Sequence, residues 1–272
     1  MNSTPPLDLN GLAQLADRLA NAAATETLRR FRDPALSTDD KDKGEGFDPV
    51  TAADQAAEAA MRAVLATERP DDGILGEEEA QTHGTSGLTW VLDPIDGTRA
   101  FILGLPVWGT LIALDDGQTG RVGIIDQPFL GERYCGIWDG TSSRAWLHRG
   151  GTEQPLVTRK GVELAEAGCF TTDPFLFQGP EWSVFERLRT GVRLMRYGID
   201  CYAYGLLALG HVDLVVETGL QAYDIAAHIP IIRAAGGVVT NWQGGDCRWG
   251  GQVVAAGSEA LHAEALELLN SA

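Results

Sequence analysis

Residues 89–101 read TWVLDPIDGTRAF, an apolar run that ends in two aspartates three positions apart. Apolar and β-branched residues dominate the start of this stretch, which predicts a buried strand over residues 89–93. Burial disfavours the charged form of a carboxylate, so Asp93 and Asp96 need a compensating partner at the end of that strand. The compensating group must come from elsewhere in the chain or from a bound cation.

Other acidic residues share this setting, because they stand where a strand ends or a helix begins and small or apolar residues flank them. They are Asp54 in TAADQ, Glu77 with Glu78 and Glu79 in LGEEEA, and Asp224 in AYDIAAH. Several carboxylates that face one another in water-poor surroundings repel, and a hard divalent cation removes that penalty. Magnesium prefers oxygen ligands, whereas zinc prefers the His and Cys side chains that these motifs lack. The motifs therefore predict a magnesium site.

The spacing within DPIDGT suits such a site. Pro94 fixes the backbone between the aspartates and has no N–H, so the carbonyl of Ile95 can turn inward as a further oxygen ligand. Gly97 permits a tight turn, and the N–H groups of Gly97 and Thr98 then open a segment that can bind a phosphate. The alternative is a simple turn, since Asp, Pro and Gly all favour turns. The accompanying GEEE and YDIAA motifs favour the site.

Composition and charge limit the class of protein. The 272 residues are 44% apolar and 22% charged, which is typical of a globular protein with one large domain or two modest ones that share a core. The net charge of −17 repels nucleic acid and anionic membranes. No apolar run reaches the roughly 20 residues that span a bilayer. We therefore expect neither nucleic acid nor a membrane as a partner.

The cysteines and the N-terminus indicate a cytoplasmic location. The four cysteines are far apart in sequence and form neither a C-x-x-C pair nor a zinc-like spacing, as expected of free thiols in a reducing compartment. The N-terminal stretch MNSTPPLDLNGLAQLADRLANAA lacks the basic start and compact apolar segment of a secretory signal.

Hydrophobic spacing predicts how the elements are organised. Short strands at 73–76, 89–93, 107–115, 121–126, 133–138 and 143–148 predict an antiparallel meander in the first half, and residues 37–49 predict a loop. The predicted helices are 7–31, 51 to about 67 with a Thr51–Asp54 capping box, 181–189, 201–210, 223–235 and 258–269. The later helices alternate with strands near 192–196, 212–217, 236–240 and 252–257, which predicts an α/β layer. We place a boundary near residue 150. The N-terminal α+β half (1–150) would carry the metal motifs, and the C-terminal α/β half (151–272) would carry Asp224 and the residues expected to select the substrate, Asp200 and Glu217.

Three of these segments, LGEEEA (75–80), WVLDPIDGTRAF (90–101) and AYDIAAHIPIIRAAGG (222–237), closely resemble the signature segments of the inositol monophosphatase superfamily. DPVTAADQ (48–55) resembles its N-terminal motif, so the resemblance covers most of the chain, roughly 40–270. It implies an α/β (α+β) fold built as a layered α-β-α-β-α sandwich. It also implies a magnesium-dependent phosphomonoesterase that acts on a small phosphorylated substrate and forms a homodimer.

Carried over by position, the resemblance gives the metal ligands. Glu77, Asp93 and the Ile95 carbonyl would hold one magnesium ion. Asp93, Asp96 and Asp224 would hold a second, with Asp93 bridging the two, and the family suggests two or three ions in all.

The resemblance also gives the residues that act on water and phosphate. Asp54 and Thr98 match the pair that orients the attacking water, and Glu77 would help to position it or accept its proton. The N–H groups of Gly97 and Thr98 would bind the phosphate. Lys43, eleven residues before Asp54, matches a mobile-loop lysine near the site, although Lys41 lies close by.

Substrate choice is expected to depend on two further carboxylates. Glu217 lies seven residues before Asp224, where the superfamily places an acidic substrate contact, and Asp200 starts the predicted helix over 201–210. Two carboxylates with aromatic neighbours at 202, 204 and 108 suit a cationic organic group better than a neutral polyol. The alternative for Asp200 is a helix N-cap.

The segments DGTRAFILGLPVWGTLIAL and RYGIDCYAYGLLALGHVDLVVETGLQAYDIAAHIPII also look like the histidinol-phosphatase branch of the superfamily. L-histidinol phosphate carries an ammonium and an imidazole, which agrees with the two carboxylates. The resemblance therefore implies removal of phosphate to give histidinol in histidine biosynthesis. An inositol-1-monophosphatase, or a broad-specificity sugar or nucleotide phosphatase, is the alternative within this class.

Two hypotheses from other classes are weaker. A metal-binding regulatory protein without catalysis should have lost at least one residue of the matched set, and all of its members are present. A Rossmann-type dinucleotide binder is disfavoured because no G-x-G-x-x-G follows an early strand.

Overall fold

The computed structural model describes residues 7–36, 38–40, 49–140 and 143–271. Helix α1 (Leu9–Arg30) is followed by strands β1 (Thr38–Asp40) and β2 (Pro49–Thr51), which pair antiparallel, and then by α2 (Ala52–Glu68). The predicted capping box at the start of α2 is confirmed, and the Asp54 carboxylate accepts the Thr51 N–H at 2.8 Å. The predicted loop over residues 37–49 is wrong for residues 38–40 and 49, because residues 38–40 pair with residues 49–51 and local composition does not reveal this non-local pairing.

The larger sheet has seven strands in chain order. They are β3 (Gly73–Gly76), β4 (Thr89–Asp96), β5 (Gly109–Asp115), β6 (Gly120–Gln127), β7 (Glu132–Ile137), β8 (Arg144–Arg149) and β9 (Thr152–Pro155). The predicted meander is confirmed from β4 onward, where all neighbours are antiparallel. It is wrong for β3 and β4, which are parallel, because residues 77–88 form a crossover long enough to return the chain along the sheet edge.

The smaller sheet has five strands in the order β11-β10-β12-β14-β13. Its strands are β10 (Gly168–Thr171), β11 (Leu194–Tyr197), β12 (Leu214–Gln221), β13 (Val238–Thr240) and β14 (Gly250–Ala256). The remaining helices are α3 (Thr98–Ile102), α4 (Pro180–Gly191), α5 (Tyr202–Ala208), α6 (Ala222–Ile225), α7 (His228–Ala234) and α8 (Glu259–Asn270). Sequence analysis missed β9 and β10, since TEQP is polar and exposed and GCFT is short and begins with glycine.

Buried side chains arrange these elements in five layers. Helices α1 and α2 cover one face of the larger sheet, α5 to α7 lie between the two sheets, and α4 and α8 cover the outer face of the smaller sheet. This is the expected α-β-α-β-α sandwich, with mixed α and β content. The central core joins side chains from both predicted halves, such as Leu111 and Val215, and the division near residue 150 stays a prediction.

The helix predicted over 223–235 is wrong in one respect, because it breaks into α6 and α7 at residues 226–227. Pro230 has no N–H to donate to the carbonyl of Ala226, so a continuous helix would lose a hydrogen bond there. The break leaves Asp224 on a helix of four residues. Within the described ranges, no helix combines the length and the apolar character needed to cross a membrane.

Candidate active site

A bulge at the end of β4 sets the direction of the two central aspartates. Asp93 pairs with Leu111 and Asp96 with Gly109, so three steps along β4 match two along β5. Side chains three positions apart on a regular strand point to opposite faces, and one extra residue restores them to the same side. The hydroxyl of Thr110 donates to the Pro94 carbonyl at 2.8 Å and holds the bulge.

Asp224 on α6 completes a cluster of three carboxylates. One ligand atom from each of Asp93, Asp96 and Asp224 lies within 4.8 Å of the others. Asp96 accepts the Cys201 N–H at 2.6 Å, and Asp224 accepts the Gln221 N–H at 2.7 Å. Asp93 is only 2% exposed, and its Oδ1 has no hydrogen-bond partner in the described part of the chain. A buried carboxylate oxygen without a donor, beside two further carboxylates, fits a hard cation.

Electrostatics indicate the same fit. Burial raises the pKa of Asp93 well above its ordinary value, and Glu77 and the other nearby carboxylates add to the rise. Burial, followed by Asp200 and Asp224, also raises the pKa of Asp96, while its hydrogen bond from Cys201 opposes the rise. The cluster therefore favours protonation by itself, and a divalent cation would reverse that preference.

Glu77 lies directly after β3, on a turn that is held from α2. The buried carboxylate of Glu58 accepts the N–H groups of Glu78 and Glu79 at 2.8 and 3.1 Å. Gly76 permits this close approach, since a Cβ there would lie 2.0 Å from Glu58 Oε1. Sequence analysis missed Glu58, although a carboxylate on the apolar face of α2 was a visible signal.

Asp54 and Thr98 come together as the sequence analysis expected. The Thr98 hydroxyl lies 3.4 Å from Asp54 Oδ1 and donates to the Ile95 carbonyl at 3.0 Å. Asp54 Oδ2 is fixed by the N–H and hydroxyl of Thr51, at 2.8 and 2.5 Å. Gly97 adopts φ 84, in the left-handed region, and so turns the chain from β4 into α3.

Asp200 lies above this turn. A Cβ on Gly97 would be 3.2 Å from Asp200 Oδ2. The N-cap alternative for Asp200 is wrong, because its φ is 41 and α5 starts at Tyr202 without a side-chain cap. Burial raises the pKa of Asp200 to about 6, Arg99 opposes the rise, and Asp173 adds to it. Sequence analysis missed Arg99 and Asp173, although Arg99 directly follows the central motif.

Glu217 is buried on β12 and held by two threonines. Its Oε1 accepts the N–H and hydroxyl of Thr172 at 2.8 and 3.0 Å, and its Oε2 accepts the Thr171 hydroxyl at 3.0 Å. Burial raises the pKa of Glu217 to about 8, and these hydrogen bonds oppose the rise. Asp200 also raises this pKa, so the two carboxylates are close enough to interact electrostatically. The threonines stand at the end of the missed strand β10.

The aromatic side chains expected beside the two substrate carboxylates are largely buried. Trp108 is 1% exposed and packs with Phe31 and Phe101, and Tyr204 is 3% exposed. The half-buried Tyr202 donates its hydroxyl to Glu132 at 3.0 Å. The role of these aromatic side chains in binding a cation stays a prediction. Lys43 and Lys41 lie outside the described residues.

Known proteins share this sequence and architecture. Residues 8–272 match the model of the inositol monophosphatase family. The chain is 40% identical to the bifunctional phosphatase IMPL2, chloroplastic, of Arabidopsis thaliana, over 96% of this chain and 76% of that protein. It is 33% identical to the histidinol-phosphatase of Chlorobaculum parvum, over 85% and 86% of the two proteins. A solved inositol monophosphatase from Zymomonas mobilis is 42% identical, with a TM-score of 0.83 over 98% of this chain and all of that one. The chain therefore belongs to the inositol monophosphatase family.

Proposed function

We propose that this family phosphatase is a magnesium-dependent histidinol-phosphatase, which converts L-histidinol phosphate and water to L-histidinol and phosphate in histidine biosynthesis. The observation that carries the metal-dependent phosphatase activity is the cluster of Asp93, Asp96 and Asp224, in which the buried Asp93 Oδ1 has no hydrogen-bond partner among the described residues. The choice of histidinol phosphate is supported by Asp200 and Glu217 and by the histidinol-phosphatase among the relatives.

The donor set determines which metal fits. Asp93, Asp96 and Asp224, with Glu77 and the Ile95 carbonyl, would hold two or three magnesium ions through oxygen atoms alone. When bound, magnesium would neutralise the carboxylates, activate water and stabilise the departing oxygen of the ester.

The remaining steps fall to side chains and backbone of this chain. Asp54, Thr98 and Glu77 would orient the attacking water and accept its proton, and the 3.4 Å distance between Thr98 Oγ1 and Asp54 Oδ1 supports a shared role. The N–H groups of Gly97 and Thr98 would hold the non-bridging phosphate oxygens during in-line attack. The nearby Cys201 is no nucleophile, because burial raises the pKa of its thiol well above the ordinary value.

The leaving group would contact Asp200, which lies next to the proposed phosphate-binding turn at Gly97. Glu217 is more deeply buried and interacts electrostatically with Asp200. An ammonium group there would favour the charged forms of both carboxylates. Lys43 is proposed as a further substrate contact on the basis of the sequence resemblance alone. A homodimer in the cytoplasm completes the proposal, and the four free cysteines agree with that compartment.

An inositol-1-monophosphatase is the second candidate, and one observation favours it. The pKa of Glu217 is raised to about 8, so at neutral pH this side chain can donate a hydrogen bond to a hydroxyl group of a polyol. The 42% identical inositol monophosphatase from Zymomonas mobilis supports the same alternative.

Phosphate release tests the proposal. The rate of phosphate release is measured once with magnesium and once with a chelator. The four substrates are histidinol phosphate, inositol 1-phosphate, fructose 1,6-bisphosphate and 3′-phosphoadenosine 5′-phosphate. We expect the highest kcat/KM with histidinol phosphate and loss of turnover on chelation. A higher kcat/KM with inositol 1-phosphate would select the second candidate. No phosphate release from any of the four esters would favour a non-catalytic metal-binding protein.

A further inference from the structure

Two buried aromatic rings stack beside the carboxylate cluster. Tyr204 on α5 and His228 on α7 have ring centroids 4.2 Å apart and planes inclined by only 6°. They are 3% and 1% exposed. Neither the Tyr204 hydroxyl nor the His228 nitrogens make an aligned hydrogen bond within the described residues, so packing rather than hydrogen bonding holds the pair.

His228 is close to the backbone that carries Asp224. It lies four positions after Asp224, across the break between α6 and α7. Burial lowers the pKa of His228 to about 3, and the backbone carbonyl of Asp224 partly offsets this effect, which places that carbonyl beside the ring. The ring therefore packs against the corner from which Asp224 projects.

Tyr204 reaches the same corner from α5. After burial, the nearby carboxylates of Glu217, Asp96 and Asp224 are among the groups that raise the pKa of its hydroxyl. The start of this helix also presents the Cys201 N–H to Asp96 at 2.6 Å. The ring pair thus joins α5, whose start holds Asp96 through the Cys201 N–H, to the segment that carries Asp224.

Asp224 needs such support because a four-residue helix has little rigidity of its own. We propose that the stacked rings of Tyr204 and His228 position Asp224 and thereby set the affinity of the cluster for a divalent cation. Both are positioning residues, since neither is a metal ligand. The inference rests on the proposed role of Asp224 as a ligand.

Calorimetric titration with magnesium measures the affinity directly, without substrate. Supporting residues around metal ligands typically account for 10–100-fold in affinity. We expect His228→Leu and Tyr204→Leu each to raise the Kd by about tenfold. His228→Phe and Tyr204→Phe keep two stacked rings and should stay within about threefold of the original Kd. The double leucine variant should lose little more than either single variant, because both changes remove one shared contact.

His262→Leu is the matched control. His262 is also a buried histidine, but it lies on α8 at the outer face of the smaller sheet and contacts Thr240. The His262→Leu variant should have a lower melting temperature and an unchanged Kd for magnesium. An unchanged Kd in a folded His228→Leu or Tyr204→Leu protein would overturn the inference, as would equal losses in the phenylalanine and leucine variants. The Tyr204 variants test the contact from the other side if His228→Leu does not fold. Failure of the unmodified protein to bind magnesium would instead refute the proposed function.

Discussion

Glu217→Gln offers a direct test of the electrostatics around the buried carboxylate of Glu217. Glu217 is 1% exposed, and burial raises its pKa from 4.5 to about 8. Between those two values the folded protein binds a proton that the unfolded chain releases, so this group makes stability fall as pH rises. Its contribution is fully present below pH 4.5 and is lost as pH rises through about 8.

The size of the effect follows from the pKa difference. One pKa unit corresponds to about 1.4 kcal/mol, so proton linkage at Glu217 removes roughly 2–3 kcal/mol of unfolding free energy between pH 6 and pH 9. Glutamine has nearly the same shape and carries no titrating proton. Its carbonyl can still accept the bonds that Thr172 donates. Between pH 6 and pH 9, the unfolding free energy of the variant should therefore fall by roughly 2–3 kcal/mol less than that of the unmodified protein.

Urea unfolding at pH 6 and pH 9, with a chelator present, measures the difference. Asp93 and Asp96 are present in both proteins, so their contributions cancel in the comparison, whereas the interaction of Asp200 with Glu217 is part of the measured difference. Glu267→Gln on the exposed side of α8 is the control, and it should leave the fall in stability unchanged because its side chain meets solvent in the folded and unfolded chain alike. If the unmodified protein and the Glu217→Gln variant lost equal stability between the two pH values, burial of a neutral Glu217 would be refuted.

Three further changes test the site and its support. Asp93→Asn should leave the circular dichroism spectrum unchanged and lower kcat at least a hundredfold, because it removes the charge shared by the proposed metal positions; wild-type turnover would rule out the bridging role. Asp200→Ala should reduce kcat/KM for histidinol phosphate about tenfold more than for inositol 1-phosphate, since about 1.4 kcal/mol of ammonium recognition is lost; equal losses would contradict cation recognition. Gly123→Ala should lower the melting temperature by several degrees, because its Cβ would lie 2.1 Å from the Ala227 carbonyl and push α7 from the sheet; an unchanged melting curve would contradict this close packing.

Local motifs explain why the carboxylate cluster was predictable from sequence. Asp93 and Asp96 lie within one hexapeptide, and Glu77 and Asp224 each follow a short strand or open a helix with small neighbours. The layered fold followed from the same motifs through the family resemblance, and the alternation of strands and helices agreed with it. In both cases the deciding information lies within a few residues of the functional position.

The unpredicted parts depend on contacts between distant segments. Glu58 supports the turn after Glu77 from another helix, and the donors to Glu217 come from a strand 45 or 46 residues away. The parallel pairing of β3 with β4 and the ribbon of β1 with β2 are also non-local. No local periodicity encodes such pairings, because the same short segment can pair in either direction until the rest of the chain is in place.

The charge of Asp200 and Glu217 bears on which of the two proposed substrates would suit the site. With pKa values near 6 for Asp200 and 8 for Glu217, the pair carries roughly one negative charge at neutral pH, and Arg99 acts against part of it. A cationic leaving group would favour ionisation of Glu217, whereas a polyol can use the protonated acid as a hydrogen-bond donor. If Glu217 contacts the substrate as proposed, discrimination between the two candidate substrates would depend on how readily Glu217 loses its proton. Thr171 and Thr172 would then influence discrimination, because their hydrogen bonds favour the charged form of Glu217, which burial disfavours.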